Sequence, residues 1–227
     1  MRAPLTIVIP TLNAAPEFAR LLPQLMEGLE AGILRELILS DGGSDDDIAQ
    51  LAEGIGATLI KGKAGRGGQL ARGADAAKSA WLLFLHADSE LPQNWPQIIM
   101  DHINGAGGPA AFRLAFDAGG FAAKLTAGWA NLRSRAFGLP YGDQGLLISA
   151  KAYAAAGGYP DIPLMEDVAI ARALAKITLL DGSITTSADR FQQQGWMRRG
   201  SRNLLILCRY LLGASPKDLA RRYQNNG

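Results

Sequence analysis

The sequence predicts an α/β fold, a mostly parallel sheet flanked by helices, and three observations lead to it. Short aliphatic or β-branched runs alternate with helical patterns through the first 109 residues, the order that gives parallel strands joined by right-handed crossovers. The apolar run Trp81-Leu-Leu-Phe-Leu ends at His86-Ala-Asp88-Ser89-Glu90-Leu-Pro92, so a buried strand delivers a polar tip to the edge where open α/β sheets bind ligands. Two further acidic signals, Gly142-Asp143-Gln144-Gly145 and Glu166-Asp167, follow at loop or helix-start positions.

Each element follows from its residues. Leu5-Thr-Ile-Val-Ile9 is the first strand, and Pro10, which cannot continue a central strand, opens a loop through Asn13. Phe18, Leu21, Leu22, Leu25, Met26 and Leu29 share one face of a helix over residues 15–30. Glu36-Leu-Ile-Leu-Ser40 is a second strand, residues 41–45 a turn, and residues 46–55 a helix whose acidic start complements its positive end. A third, short strand spans 57–60. A glycine-rich basic loop covers Gly62 to Gly68, and a small-residue helix from Gln69 to Lys78 leads into the strand at Trp81. Beyond residue 110 the pattern loosens into a strand over 112–116, a helix over 121–136, a strand over 145–149 and a helix from Glu166.

Composition narrows the function. With 48% hydrophobic residues in 227 the chain has ample material for a core. The lone cysteine, Cys208, excludes an internal disulfide, and no charged stretch with a following apolar region and cleavage site opens the chain. A cytoplasmic location is expected. Residues 190–227 hold eight Arg or Lys against one acid, Asp218, a basic segment that would attract phosphates on a nucleotide, a lipid or a nucleic acid. Its apolar stretch, Leu204 to Leu212, is far short of the roughly 20 residues that span a bilayer. It reads either as a helix packed on the main domain or as one lying at a membrane interface, the inner face for a cytoplasmic protein. The arginines are interleaved with aliphatics rather than exposed aromatics and form no reading motif, so nucleic acid is not an expected partner.

The motifs carry chemistry, each beside a structural alternative. His86 and Asp88 would project together from the strand end, and a carboxylate there suits Mg²⁺ or Mn²⁺, although Asp88 or Ser89 could instead cap the helix after Pro92. Asp41 could accept from a ribose or a base, or form an Asx turn. The loop Gly62-Lys63-Ala-Gly65-Arg66-Gly67-Gly68 offers amides and two cations to a diphosphate, but it lacks the P-loop spacing, and no GxGxxG follows the first strand. Glu166 and Asp167 could be charges placed at a helix N-terminus, or could divide the tasks of orienting a substrate and accepting a proton.

In order, Thr6-Ile-Val-Ile-Pro-Thr-Leu-Asn13, Ser40-Asp41-Gly-Gly-Ser44-Asp45, Leu85-His-Ala-Asp88 and Pro163-Leu-Met-Glu-Asp167 resemble the motifs of the family-2 glycosyltransferases, which have the GT-A fold. Tyr141-Gly142-Asp143-Gln144-Gly145 is similar to a small bacterial branch of that family. The resemblance implies an inverting transfer of a sugar from a nucleotide-diphosphate donor to a hydroxyl acceptor, with a lipid-linked acceptor among the candidates. It places Pro10, Thr11, Asn13 and Asp41 in the nucleoside pocket, Arg66 and Gln69 near the sugar diphosphate, and Asp88 on the divalent metal. Asp167 would be the base with Glu166 beside it. Gly142, Asp143 and Gln144 would approach the donor or acceptor sugar, under a loop carrying Trp196 and Arg198. Departures are His86, which stands with the nucleotide-binding set where the family often has an aspartate, and Ser40 in place of the first of an Asp pair. His102 is not expected to be a metal ligand. The resemblance divides a single domain, 1–227, into a nucleotide-binding half (1–109), an acceptor-side half (110–189) and a basic helical segment (190–227). Two rivals remain: a nucleotidyltransferase, against which Pro10-Thr-Leu-Asn13 argues, and a non-catalytic scaffold that binds nucleotide or lipid.

Overall fold

The computed structural model describes residues 3–174 and 176–225. The elements are β1 (Leu5–Thr11), α1 (Ala15–Glu30), β2 (Leu34–Asp41), α2 (Ile48–Gly54), β3 (Thr58–Lys61), α3 (Arg66–Ala76), β4 (Trp81–Phe84), α4 (Trp95–Asn104), β5 (Ala110–Phe116) and α5 (Phe121–Phe137). A 3₁₀ turn at Gly142–Gln144 follows, then β6 (Leu146–Ser149), α6 (Ala150–Ala155), α7 (Glu166–Ala173), β7 (Thr178–Thr186), α8 (Asp189–Gln194), α9 (Trp196–Leu211) and α10 (Pro216–Asn225).

Among the described residues seven strands form one sheet in the order β3-β2-β1-β4-β6-β5-β7. Only β6 runs against its neighbours, pairing antiparallel with β4 and β5. That reversal matters for the site. The residues that precede β6 enter at the edge where the parallel strands end, so Gly142–Gln144 arrive beside the segment that follows β4.

Period-two alternation splits the strand residues between two cores. Leu5, Ile7 and Ile9 of β1, with Leu83 of β4, pack against Phe18, Leu21 and Leu25 of α1 and Trp95 of α4. Val8, Leu82 and Phe84 face the other way, toward Leu70, Tyr153, Tyr159 and Val168. Both faces are covered, which is why these strands read as nearly unbroken apolar runs.

Several boundaries depart from the sequence reading. β1 runs through Pro10 to Thr11. The Val8 carbonyl accepts from Leu85 N on the β4 side, so by alternation the missing N–H of Pro10 faces the place where β4 has already ended, and no ladder bond is lost. Arg66, Gly67 and Gly68 belong to the first turn of α3, not to a loop. A Cβ on Gly67 would lie 2.1 Å from the Pro160 carbonyl oxygen; this glycine permits close packing rather than cradling a phosphate. The segment around Trp196 is not a loop either, because α8 and α9 are separated by Gly195 alone, at φ +84°. Strand β7 and helices α6 and α8 had no clear periodic signal.

Candidate active site

A cleft of about 460 Å³ opens at the carboxyl ends of β4, β5 and β7. Asp88 and Asp167, remote in the chain, both line it, with Arg66, His86, Gly142, Asp143 and Glu166. The remaining wall includes Asp117 after β5, Thr185–Ser187 at the end of β7, Arg190 and Phe191 of α8, and Arg199 and Asn203 of α9.

The segment carrying Asp88 is pinned from three sides. His86 N donates to Ser89 Oγ (3.2 Å), Leu91 N to Gln24 Oε1 (2.6 Å), and Glu90 exchanges two 2.8 Å backbone hydrogen bonds with Thr185. The Asp88 side chain is 47% exposed. His86 Nδ1 lies 4.0 Å from Asp88 Oδ1, yet burial, reinforced by the charges of Arg66 and Arg190, holds the imidazole well below its ordinary pKa. His86 is therefore neutral at pH 7, and the contact is not an ion pair.

Glu166 and Asp167 open α7 after Met165, whose φ of +69° puts a bulky residue in the left-handed region at a cost of about 1 kcal/mol. Their environments separate them. The Glu166 carboxylate is almost fully buried, 3.7 Å from Arg66 Nε. Burial and then the Asp167 charge push its pKa up to about 7, against the opposing pull of Arg66. Asp167 is partly open to the cleft, with Oδ2 accepting from Gly142 N (2.9 Å) and Oδ1 from Val168 N (2.7 Å). Asp143 is pushed up to about 6 by burial, with Arg133 opposing and Asp167 adding to the rise.

The turn that presents Gly142 and Asp143 is built on Gln144, which is fully buried. Its Oε1 accepts from Ser134 Oγ (2.7 Å) and Tyr141 N (3.3 Å), and its Nε2 donates to the Phe112 carbonyl (3.0 Å). Arg133, also buried, donates from Nε to the Leu139 carbonyl (2.9 Å) and lays its guanidinium over the Tyr141 ring at 3.4 Å. Gln144 thus holds the turn and does not reach a sugar, contrary to its expected role. Gly142 has a steric reason to be glycine, since a Cβ there would lie 2.9 Å from His86 Nε2.

Other predicted site residues lie outside the cleft wall. Pro10, Thr11, Asn13 and Asp41 meet at the ends of β1 and β2. Asp41 is 1% exposed, and its carboxylate accepts from Thr11 Oγ1, Gly43 N, Ser44 N and Ser44 Oγ. Burial alone would raise its pKa, but these donors hold it below the usual range. Its oxygens are committed to an Asx-type turn and are not presented to the cleft. Thr11 is likewise buried. Asn13 is exposed and bonds Asp45 N through Oδ1. The Gln69 amide is spent on the Thr11 and Ser40 carbonyls (2.8 Å each) and Gly65 N (3.1 Å); it ties the strand ends together instead of approaching a diphosphate. Trp196 stacks on Phe191 and edges onto Phe116. Arg198 is exposed away from the cleft, whose wall takes Arg199, Asn203 and Ile206. Those three were missed, although their spacing of four and three residues marks one helix face. His102 is buried, with Nε2 3.0 Å from the Gly108 carbonyl, away from the site.

Among the described residues no three His, Cys, Asp or Glu side chains converge as a closed metal site. The wall still fits a hard divalent ion, which needs one or two carboxylates and takes its other ligands from phosphate and water. Asp88 is half open, and His86 Nε2 and Asp143 Oδ1 in the same wall are buried without a protein hydrogen-bond partner.

A sheet of this order with an acidic cleft across its parallel-strand ends is the GT-A glycosyltransferase architecture. The sequence profile of Glycosyl transferase family 2 matches residues 6–138, and the chain belongs to that family. The matched segment includes Asp88 and ends before Gly142 and Asp167. No curated protein matches the chain by sequence. Among solved structures it is similar to the mannosyltransferase PcManGT from Pyrobaculum calidifontis in complex with GDP-Man and Mn²⁺, at 17% identity and TM-score 0.66, covering 96% of this chain and 67% of that one. It is also similar to mannosyl-3-phosphoglycerate synthase from Rubrobacter xylanophilus, at 17% identity and TM-score 0.59 over 99% and 75% of the two chains. S. aureus TarS aligns at 14% identity and TM-score 0.64, covering 90% of this chain, which spans only 40% of the TarS length.

Proposed function

We propose that this glycosyltransferase moves a sugar from a nucleoside-diphosphate donor to a hydroxyl acceptor with inversion at the anomeric carbon. The observation that carries the reading is the convergence of Asp88 and Asp167 on one cleft large enough for a diphosphate-linked sugar. In this reading the partly open Asp167 takes the acceptor's proton as the acceptor oxygen bonds to the anomeric carbon. The carbon–phosphate oxygen bond breaks on the opposite face, and its electron pair leaves with the nucleoside diphosphate. Gly142 N fixes one Asp167 oxygen, and Arg66 holds Glu166.

Charge supports a divalent cation. The cleft wall holds eight carboxylates and four guanidiniums among the described residues, so a diphosphate would meet a net negative surface unless a cation accompanied it. Asp88 would hold Mg²⁺ or Mn²⁺ there, with His86 and Asp143 alongside. Such an ion, when bound, neutralises the leaving diphosphate.

Calorimetry with nucleoside diphosphates, with and without Mn²⁺, tests the reading together with a turnover screen of nucleotide sugars. Binding that requires Mn²⁺ and is lost in Asp88→Asn, with turnover lost but binding kept in Asp167→Asn, is the expected pattern. Full turnover in Asp167→Asn would overturn the assignment of the base. No nucleotide binding under any condition would leave a scaffold instead.

A further inference from the structure

Helices α8 and α9 form part of the cleft wall. Helix α9 buries Ile206 and Leu207, and Arg199, Asn203 and Ile206 face the cleft. Its opposite side carries Met197, Leu204, Leu205 and Leu211, all at least 41% exposed. Helix α5, which packs against α9, repeats the pattern. Its buried side holds Ala123, Ala130, Arg133 and Ser134, while Phe121, Leu125, Trp129 and Leu132 follow one another at spacings of four, four and three residues and are 47–81% exposed. That spacing is one helix face, and the row from Phe121 to Leu132 runs about 17 Å along α5. Rows of large apolar side chains left open on adjoining helices mark an interaction face.

Charge selects the partner. Neither helix contains an acidic residue. Lys124 and Arg135, three turns apart, flank the apolar row of α5 on one side, and Arg198 is exposed on α9. Apolar side chains bordered by cations are the composition of an interfacial helix, and an exposed Trp among them suits the headgroup boundary. A second copy of this chain would bring like charges together across the same face. No helix among the described residues is long and apolar enough to cross a membrane. We infer that the exposed faces of α5 and α9 dock this protein onto an anionic phospholipid surface. The cleft then lies behind α9, about one helix diameter, roughly 10 Å, from the lipid. The inference depends on neither the donor nor the acceptor.

The test is sedimentation of the full chain with vesicles of phosphatidylcholine alone or mixed with phosphatidylglycerol, at about 20 mM and about 500 mM salt. The protein should pellet with the anionic vesicles at low salt and be released at high salt. Tryptophan emission should be quenched by brominated lipid, and Trp129→Phe should remove most of that quenching while keeping binding. The double variant Leu125→Glu/Leu205→Glu should weaken partitioning at least about tenfold, with circular dichroism confirming the fold. Lys124→Glu/Arg135→Glu, changing only exposed charges, should weaken binding to anionic vesicles and serves if the first variant misfolds. No pelleting of the folded wild type at low salt would overturn the inference. So would self-association abolished by Leu125→Glu/Leu205→Glu without vesicle binding, which would make the face a contact between copies.

Discussion

Glu166 makes a sharp test of the electrostatics of the site. Its side chain is 6% exposed, and burial followed by the Asp167 charge lifts its pKa from the ordinary 4.5 to about 7. Below pH 4.5 the group is protonated in both the folded and unfolded chains, and the stability tied to it is fully present. As pH rises the unfolded chain ionises first and the folded chain resists until about 7, so stability falls across that window. At about 1.4 kcal/mol per pH unit the loss is on the order of 3 kcal/mol. Glu166→Gln keeps the shape and cannot ionise. Arg66 loses its partner in the variant, but that side chain is 48% exposed and water replaces the contact. The stability of Glu166→Gln relative to wild type should therefore rise by about 2–3 kcal/mol between pH 4.5 and 7.5. Asp143, pushed up to about 6, titrates in both proteins and largely cancels in the difference. Urea denaturation at half-unit pH intervals, with the slope checked for constancy, reads the effect. A difference that stays flat with pH, or falls, would refute burial as the dominant influence on Glu166.

Two further substitutions probe the turn before β6. Gly142→Ala places a Cβ 2.9 Å from His86 Nε2 and 3.8 Å from Asp167 Oδ2; turnover should fall at least about tenfold while stability drops by only about 1–2 kcal/mol, as read by kinetics and thermal melting. Gln144→Leu strands buried partners at Ser134, Phe112 and Tyr141, so denaturation should show a loss of about 2–4 kcal/mol.

The first half of the fold was legible because its strands are buried on both faces and its helices carry one apolar face, so burial is written directly into the local pattern. Leu5 to Ile9 and the helix at Phe18, Leu21 and Leu25 are examples. Strand β7, Thr178-Leu-Leu-Asp-Gly-Ser-Ile-Thr-Thr186, escaped notice because it mixes polar and apolar residues without strict alternation. It is a strand through its pairing with β5, whose register shifts between Ala111 and Arg113. Asp88 follows an apolar run and Glu166 and Asp167 open a helix, so each stands out in the local pattern, whereas Asp143 sits in a short turn between Gly142 and Gly145.

What the sequence determined by itself is the alternation of strands and helices and the positions of the acidic tips, since both depend on neighbours in the chain. Only the tertiary structure decided which tips share a cleft. The antiparallel β6 delivers Gly142 and Asp143 beside Asp167, and packing buries the Gln144 amide while the Asp41 carboxylate is consumed in its own turn. A polar side chain's role depends on whether folded neighbours have already taken its hydrogen bonds, and those neighbours lie tens of residues away in the chain.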